Sequence, residues 1–491
     1  MVVTGLVLGG VLGFVMQRGR FCVTGFLRDI FTQRSYRGLT ALFIVIAVHA
    51  VGLTALTQAG VITPSVDDFA PLAVILGGFI FGLGIVLAGG CASGTWYRSG
   101  EGLIGSWIAL VMYALSAAAM KTGVLSGMND FLGDRTIAAT TIPETLGVTP
   151  WVFVIGFVAL TGVLTFNFLK DELTGTKPVQ LAARKTGLAH LLTEKPWHVF
   201  ATAAIVGVLG VIAWPLSAAA GRNSGLGITT PSANLANGVV TGDLSRFDWG
   251  VMLVLGILVG SFIAAKASGE FRLRVPDATQ AARSVVGGVM MGVGAAWAGG
   301  CTVGNGMVET SLFSYQGWIA LLFITIGVGV AAKIWLKPAA DPAQAQPGTE
   351  QPNFADSGFA DSGTANSRFA EASTLGSGSE SSSSISTAAS SNLSFGVAPV
   401  AVLEKNQNGK LKPLGNGRWA MDTLGAVCPF PLIEAKDAIK RIAVGEELVI
   451  TFDCTQATDA IPRWAAKDGH AVTQFEQTGD AGWIIAVKRG N

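Results

Sequence analysis

Ala88-Gly89-Gly90-Cys91-Ala92-Ser93-Gly94 returns far downstream as Ala298-Gly299-Gly300-Cys301-Thr302-Val303-Gly304. The match continues on both sides. Upstream, Gly82-Leu83-Gly84 answers Gly292-Val293-Gly294; downstream, Trp107-Ile108-Ala109-Leu110 answers Trp318-Ile319-Ala320-Leu321, with one residue of drift. Each copy follows one apolar run and precedes another, which predicts a helix-breaking turn with a thiol between two hydrophobic helices. Glycines there let backbones approach closely and free N–H groups from helical pairing. A lone cysteine in an apolar segment is ordinarily an inert small hydrophobe. Two of them, Cys91 framed by Gly90 and Gly94 and Cys301 framed by Gly300 and Gly304, point instead to a pathway.

Composition sets the class. Half of the 491 residues are hydrophobic, 13% are charged, and mean hydropathy is +0.52, the profile of a polytopic membrane protein with a soluble appendage. A net charge of +1 carries no nucleic-acid footprint. Five cysteines with no C-x-x-C pair argue against a disulfide framework and a zinc site. His49, His190, His198 and His470 are scattered and form no metal cluster, and nothing calls for a cofactor.

The first apolar run, Val2 to Met16, has no base before it and Arg18 and Arg20 after it, the reverse of a signal peptide. It reads as a short span entering from outside. Further runs lie near 39–62, 71–90, 103–120, 150–169, 198–216, 248–265, 284–299 and 316–336, giving nine spans. Several are short for a hydrocarbon core of roughly 30 Å. Loop charge orients them. The first loop carries Arg18, Arg20, Arg28, Arg34 and Arg37; the loop near 170–197 carries Lys170, Lys177, Arg184, Lys185 and Lys195; the loop 266–283 carries Lys266, Arg272, Arg274 and Arg283. The outer loop between them has Asp67 and Asp68 and no base. The amino terminus is expected outside and the carboxy-terminal region in the cytoplasm.

Nine spans divide into four, a connecting fifth, and four, so the two halves cross in opposite senses. Each half opens on a second matched feature, Gly19-Arg20-Phe21-Cys22-Val23-Thr24-Gly25 and Gly221-Arg222-Asn223-Ser224-Gly225-Leu226-Gly227. The segments behind them, to about Phe31 and Asn237, are too short to span and read as re-entrant half-helices. Inverted repeats with broken helices meeting near the midplane are a transporter design, and half-helix N-termini present partial positive charge to an anion. Arg20 and Arg222 are candidates for that pathway; the plainer alternative is interfacial snorkelling.

Composition changes after Lys337. Residues 338–408 begin as a stretch of Ser, Ala and Gly with a few acids that cannot bury enough apolar surface to fold, a flexible tether with a reach of some tens of ångströms. From 409 a small α/β domain is expected in the order β-α-β-α-β-β, with helices over one face of a mixed sheet. Its helix starting at Cys428-Pro429-Phe430-Pro431 puts Cys428 at or next to the N-cap, where the helix N-terminus favours a thiolate and makes a nucleophile or persulfide carrier. Cys454, after an apolar strand, reads as partly buried and inert.

Residues 1–337 resemble the YeeE/YedE membrane transporter family through Gly19-Arg20-Phe21-Cys22 and the two Gly-Gly-Cys breaks. Residues from 409 resemble the TusA/SirA/YeeD family through Leu424-Gly425-Ala426-Val427-Cys428-Pro429-Phe430-Pro431-Leu432. Together they are similar to a YeeE–YeeD fusion. The resemblance implies an hourglass-like inverted-repeat fold and thiosulfate uptake across the bacterial inner membrane. It also implies a cytoplasmic domain whose cysteine accepts or transfers sulfane sulfur, with sulfur-acceptor proteins as onward partners. Ser224 departs from the pattern, leaving Cys22, Cys91 and Cys301 as the pathway thiols.

The chemistry suits thiosulfate, a small dianion with a soft terminal sulfur. Fixed dipoles must replace its water in a low-dielectric channel. Backbone N–H groups and weak S–H donors do so without holding it too tightly, since transit needs sites that are favourable and escapable. Two other readings stand beside this one: a membrane-anchored sulfurtransferase, and a transporter of a selenium compound or another sulfur oxyanion. ATP-driven transport has no P-loop to rest on.

Overall fold

The computed structural model describes residues 2–175, 177–182, 185–194, 196–336 and 411–490. The first half of the membrane region contains α1 (Val2–Arg18), α2 (Val23–Thr32), α3 (Arg37–Gln58), α4 (Pro71–Leu87), α5 (Ala92–Gly100) and α6 (Ile104–Lys121). Short helices α7 (Ser126–Gly133) and α8 (Ile142–Thr145) lead to α9 (Pro150–Thr174), followed by α10 (Gly187–Ala189). The second half contains α11 (Val199–Ala219), α12 (Thr229–Thr241), α13 (Trp249–Ala267), α14 (Ala278–Trp297), a π turn (Gly304–Glu309) and α15 (Tyr315–Trp335). Side chains cap most of the second-half helices. Asp248 accepts from Val251 N at 2.8 Å, Asp277 from Gln280 N at 3.2 Å, and Ser314 from Gly317 N at 3.0 Å.

Eight helical segments among the described residues are long and apolar enough to cross a membrane. The ninth span expected from sequence, 284–299, lies in α14, whose 20 residues are diluted by glycine, alanine and a polar first turn. This helix packs on α4 and α6 through Ser284, Gly287, Gly288, Gly292 and Gly294, so small residues take the place of strongly apolar ones on that face, while Val285 and Val286 stay exposed. By contrast α9 leaves Val152, Ile155, Val163 and Phe166 exposed, the surface a bilayer solvates.

The two halves pack as a pseudo-two-fold pair. α1 lies on α13 and α11 on α3; α6 lies on α14 and α15 on α4; α2 meets α15 and α12 meets α6. At the axis α4 crosses α14 through glycines. A Cβ on Gly84 would stand 2.8 Å from the Gly287 carbonyl oxygen, and one on Gly287 2.8 Å from that of Gly84. The symmetry-related pair, Gly77 and Gly294, gives 2.7 Å in both directions. Any side chain there would push the helices apart and lose the close packing that holds helices together in lipid.

The short elements α2 and α12 occupy the places expected for half-helices. Their starts do not follow the sequence alignment. α2 begins after Cys22, whereas α12 begins after Ile228, so Ile228 rather than Ser224 takes the position of Cys22.

The C-terminal domain consists of β1 (Lys412–Gly415), β2 (Arg418–Thr423), α16 (Phe430–Arg441), β3 (Glu447–Phe452), α17 (Ala457–Lys467), β4 (Ala471–Gly479) and β5 (Gly482–Lys488). Its sheet order is β1-β2-β3-β5-β4, with β2 and β3 parallel and the other pairs antiparallel. Leu448, Ile450 and Phe452 alternate into one core with Leu432, Ile439, Ile461 and Trp464 from the helices. The order is therefore β-β-α-β-α-β-β, one strand more than expected. The extra strand β1 reaches β2 through Gly415-Asn416-Gly417, all three with positive φ, a hairpin turn that a short exposed strand needs. The proposed tether, 338–408, lies outside the described residues.

Candidate functional site

Each Gly-Gly-Cys break ends one helix and opens the next element. In the first, α4 stops at Leu87, Gly89 turns at φ +73°, and Cys91 is the N-cap of α5. In the second, α14 stops at Trp297, Gly299 turns at the same φ of +73°, and Cys301 precedes the π turn. Only glycine adopts that angle without strain. Cys22 is likewise the N-cap of α2. All three thiols are buried and free, and each stands at the start of a helical element where unpaired N–H groups gather.

Cys22 and Cys91 are neighbours. Both approach Gly94, whose missing Cβ leaves room between the two sulfurs. Cys91 Sγ lies 3.5 Å from Ser93 Oγ. Cys301 Sγ accepts from Val303 N at 3.4 Å and is also hydrogen-bonded by Thr229, the first residue of α12. Tyr113 donates to Thr229 Oγ1 at 2.9 Å and lies within electrostatic reach of both Cys91 and Cys301. Hydroxyls and thiols thus line the interval between the breaks.

Cations stand at both ends. At the Cys301 end, Lys121 donates to Thr230 Oγ1 at 2.7 Å, and Arg222 lies over Gly227 and Gly250. Arg222 Nη1 is buried and makes no hydrogen bond among the described residues. At the Cys22 end, Arg98 is buried within α5. Its guanidinium donates to Cys22 Sγ at 3.5 Å, to Tyr97 Oη at 3.4 Å, and to the Gly89 carbonyl. The other break is pinned by a neutral group instead: Asn305 Nδ2 donates to Ala298 O at 2.8 Å and Gly300 O at 3.0 Å.

The C-terminal domain closes the Cys22 end. Val427 covers the first break so tightly that a Cβ on Gly89 would meet it at 2.9 Å. Gln456 donates to Tyr97 Oη at 3.4 Å. Arg20, with φ +49°, pairs with Glu270 at 2.9 Å and donates to the Thr455 carbonyl. Glu270 also accepts from Gln17 at 2.6 Å and pairs with Arg18 at 3.4 Å. Burial alone would raise the Glu270 carboxyl, but Arg20, Arg18 and Gln17 hold it below its ordinary value.

Cys428 lies just before α16, whose N-cap is Pro429. It borders two cavities. The larger, about 240 Å³, is also lined by Arg20, Cys22 and Gln456. The smaller, about 50 Å³, is lined by Arg98, Glu101, Asp453 and Cys454. One expectation is corrected here: Cys454 is not an isolated, inert thiol but is joined to Cys428 in a disulfide, with Cα atoms 6.3 Å apart. Because β2 and β3 are parallel neighbours, the loops that follow them emerge at the same sheet edge, a relationship no local sequence pattern carries.

The structure therefore gathers Cys22, Cys91, Arg20, Gly90, Gly94 and Cys428 toward one end, and Cys301, Gly300, Gly304 and Arg222 toward the other. Sequence reading missed Arg98, Lys121, Tyr113 and Thr229. Arg98 had a signal, since an arginine inside a membrane segment marks a functional site by default. Lys121 and Thr229 had none beyond their place at helix ends.

The sulphur-transport family matches residues 18–330, and the sulfurtransferase TusA family matches residues 420–489. Over 336 residues the chain is 50% identical to the thiosulfate transporter TsuA of Escherichia coli (strain K12), covering 68% of this chain and 94% of that protein. It is 34% identical over 343 residues to the thiosulfate transporter TsuA of Spirochaeta thermophila, covering 67% and 97%. Its C-terminal part is 59% identical over 69 residues to the candidate sulfur carrier TsuB of Escherichia coli (strain K12), covering 14% of this chain and 92% of that protein.

Proposed function

Because the chain belongs to the sulphur-transport family and ends in a domain of the sulfurtransferase TusA family, we propose that it takes up thiosulfate and delivers it to Cys428. The observation that carries this reading is the cavity of about 240 Å³ that has Cys22 on one wall and Cys428 on another. Thiosulfate enters past Lys121 and Arg222, passes Cys301, then Cys91 and Cys22, and leaves beside Arg98 and Arg20. Thiols, hydroxyls and helix-start N–H groups replace its water along this line without covalent capture. A buried arginine near the exit favours the dianion there, and sharing its donors among Gly89, Tyr97 and Cys22 keeps the site escapable.

At Cys428 the reduced thiolate attacks the sulfane sulfur. The S–S bond of thiosulfate breaks, sulfite leaves with the electron pair, and a persulfide remains on Cys428. Consumption keeps thiosulfate low at the inner mouth and preserves the inward gradient. The domain is tethered by residues 338–408, so transport by 1–337 and sulfur chemistry by 409–491 occur on one chain at high effective concentration. The protein spans the bacterial inner membrane with its amino terminus outside and the C-terminal domain in the cytoplasm. Loop charge supports this orientation, and so does the contact of that domain with Arg20 in the first basic loop. Sulfur-acceptor proteins are its onward partners.

Uptake of labelled thiosulfate by cells carrying the full chain, or residues 1–337 alone, tests the proposal. Both should accumulate label, the full chain for longer, and unlabelled thiosulfate should compete better than sulfate or selenium oxyanions. No uptake by 1–337 would favour a membrane-anchored sulfurtransferase. Preferential competition by a selenium compound would reassign the cargo.

A further inference from the structure

Cys428 and Cys454 are brought together by their loops as well as by their sulfur atoms. Asp453 Oδ1 accepts from Gly425 N at 3.0 Å, and Thr423 Oγ1 donates to Thr451 O at 3.0 Å. The first bond ties the loop after β2 to the loop after β3, and the second joins the two strands just before those loops, so the approach of the loops does not rest on the disulfide alone. Cys428 borders both cavities, while Cys454 borders only the smaller one. One flank of Cys428 therefore faces the space shared with Cys22, and the other faces a second thiol.

We infer that Cys454 is the resolving thiol of this domain, and that the sulfur taken from thiosulfate leaves as hydrosulfide. The inference rests on the reading that Cys428 cleaves thiosulfate. In the resolving step the Cys454 thiol passes its proton to the terminal sulfur of the Cys428 persulfide, and the Cys454 thiolate attacks Cys428 Sγ. The bond from Sγ to the terminal sulfur breaks and the Sγ–Sγ bond forms. Hydrosulfide departs with the electron pair. The sulfane sulfur is reduced by two electrons, which the two cysteines supply as they become the disulfide seen in the structure. A dithiol reductant then restores both thiols by exchange. The smaller cavity, about 50 Å³, has room for one small sulfur anion as it leaves, with Arg98 and Arg274 beside Glu101 and Asp453 in its lining.

The two chemical steps have different products, so one experiment separates them. The full chain is purified, reduced, freed of reductant and given one equivalent of thiosulfate. The wild type should release sulfite and hydrosulfide in equal amounts and finish with the Cys428–Cys454 disulfide in its peptide map. Cys454→Ser should release sulfite once, release at least tenfold less hydrosulfide, and carry one extra sulfur atom on Cys428 in its intact mass. Sulfite release by the variant also reports that its domain is folded. If the wild type instead keeps the persulfide as fully as Cys454→Ser, Cys454 does not resolve it and the inference fails while thiosulfate cleavage stands. Absence of sulfite from both proteins would remove the cleavage reading, and the resolving step with it.

Discussion

Cys22 and Cys91 both reach Gly94: a Cβ built on that glycine would lie 3.4 Å from Cys91 Sγ and 4.0 Å from Cys22 Sγ. Both distances are ordinary van der Waals contacts, so alanine fits without moving either helix. Alanine also favours helix over glycine by about 1 kcal/mol, and Gly94 lies within α5. Gly94→Ala should therefore express and melt like the wild type, or slightly better, while cutting initial thiosulfate uptake at least tenfold by filling the gap between the thiols. Unchanged uptake would show that thiosulfate does not pass between Cys22 and Cys91.

The thiols themselves make a graded series. Cys91→Ala and Cys301→Ala remove the sulfur from both Gly-rich breaks and should reduce uptake to near background at normal membrane expression. Each leaves a small buried void, a cost of about 1 kcal/mol that the fold tolerates. Cys22→Ala should reduce uptake less, because Arg98 keeps its bonds to Gly89 and Tyr97. Wild-type rates in both Cys91→Ala and Cys301→Ala would sink the pathway reading.

Arg98 tests whether geometry or charge matters at the exit. Lysine keeps the charge but cannot donate at once to a carbonyl, a phenol and a thiol from one plane. Hydrogen bonds from a charged donor contribute about 1.5–3 kcal/mol each. Arg98→Lys should lower uptake roughly tenfold, and Arg98→Met should abolish it. Equal rates for lysine and arginine would reduce the role of this residue to its charge alone.

The repeat was legible because its signal is doubled. Gly84 and Gly294 occur at matched positions in two apolar runs, and both proved to be close-contact residues at the axis. What the sequence withheld depends on partners distant in the chain. The low hydropathy of α14 comes from the small residues with which it packs on α4 and α6, and Ile228 replaces Ser224 as the counterpart of Cys22 because the loop before α12 is longer than that before α2. The strand β1 has a local mark in Asn416-Gly417, the hairpin pair that joins it to β2. The pairing of Cys454 with Cys428 follows from parallel strands, which no local pattern around either cysteine encodes.

Glu434, on α16, gives the C-terminal domain a pH dependence. Burial pushes its carboxyl up to about 7, and Oε2 finds no hydrogen-bond partner among the described residues. The folded domain thus keeps a proton that the unfolded chain releases at the ordinary carboxylate value. Stability should fall as pH rises from that value to about 7 and stay at the lower level above it. Glu434→Gln removes the penalty, which is roughly 3 kcal/mol. Hydrogen exchange in peptides of α16 should match the wild type at about pH 4 and be slower in the variant at about pH 8. A wild-type-to-variant ratio that does not change with pH would show that Glu434 is not the group responsible.

Docking of the C-terminal domain can be weakened without touching Cys428. Glu172 of α9 pairs with Arg463 of α17 at 2.9 Å, with Arg37 at 2.8 Å and with His198 at 2.9 Å. These groups are partly exposed, so each pair contributes no more than about 1 kcal/mol. Arg463→Glu does more than remove one pair, because it sets a carboxylate against Glu172 and turns attraction into repulsion. The domain remains on the same chain as the membrane region, so the loss is one of residence time at the mouth rather than of chemistry. Initial uptake should stay within about twofold of the wild type. Sustained accumulation of thiosulfate-derived sulfur should fall severalfold, while sulfite release by the purified variant from free thiosulfate is unchanged. That pattern separates delivery from cleavage. A variant that accumulates sulfur as long as the wild type would show that the docked position of Cys428 beside Cys22 has no part in transfer.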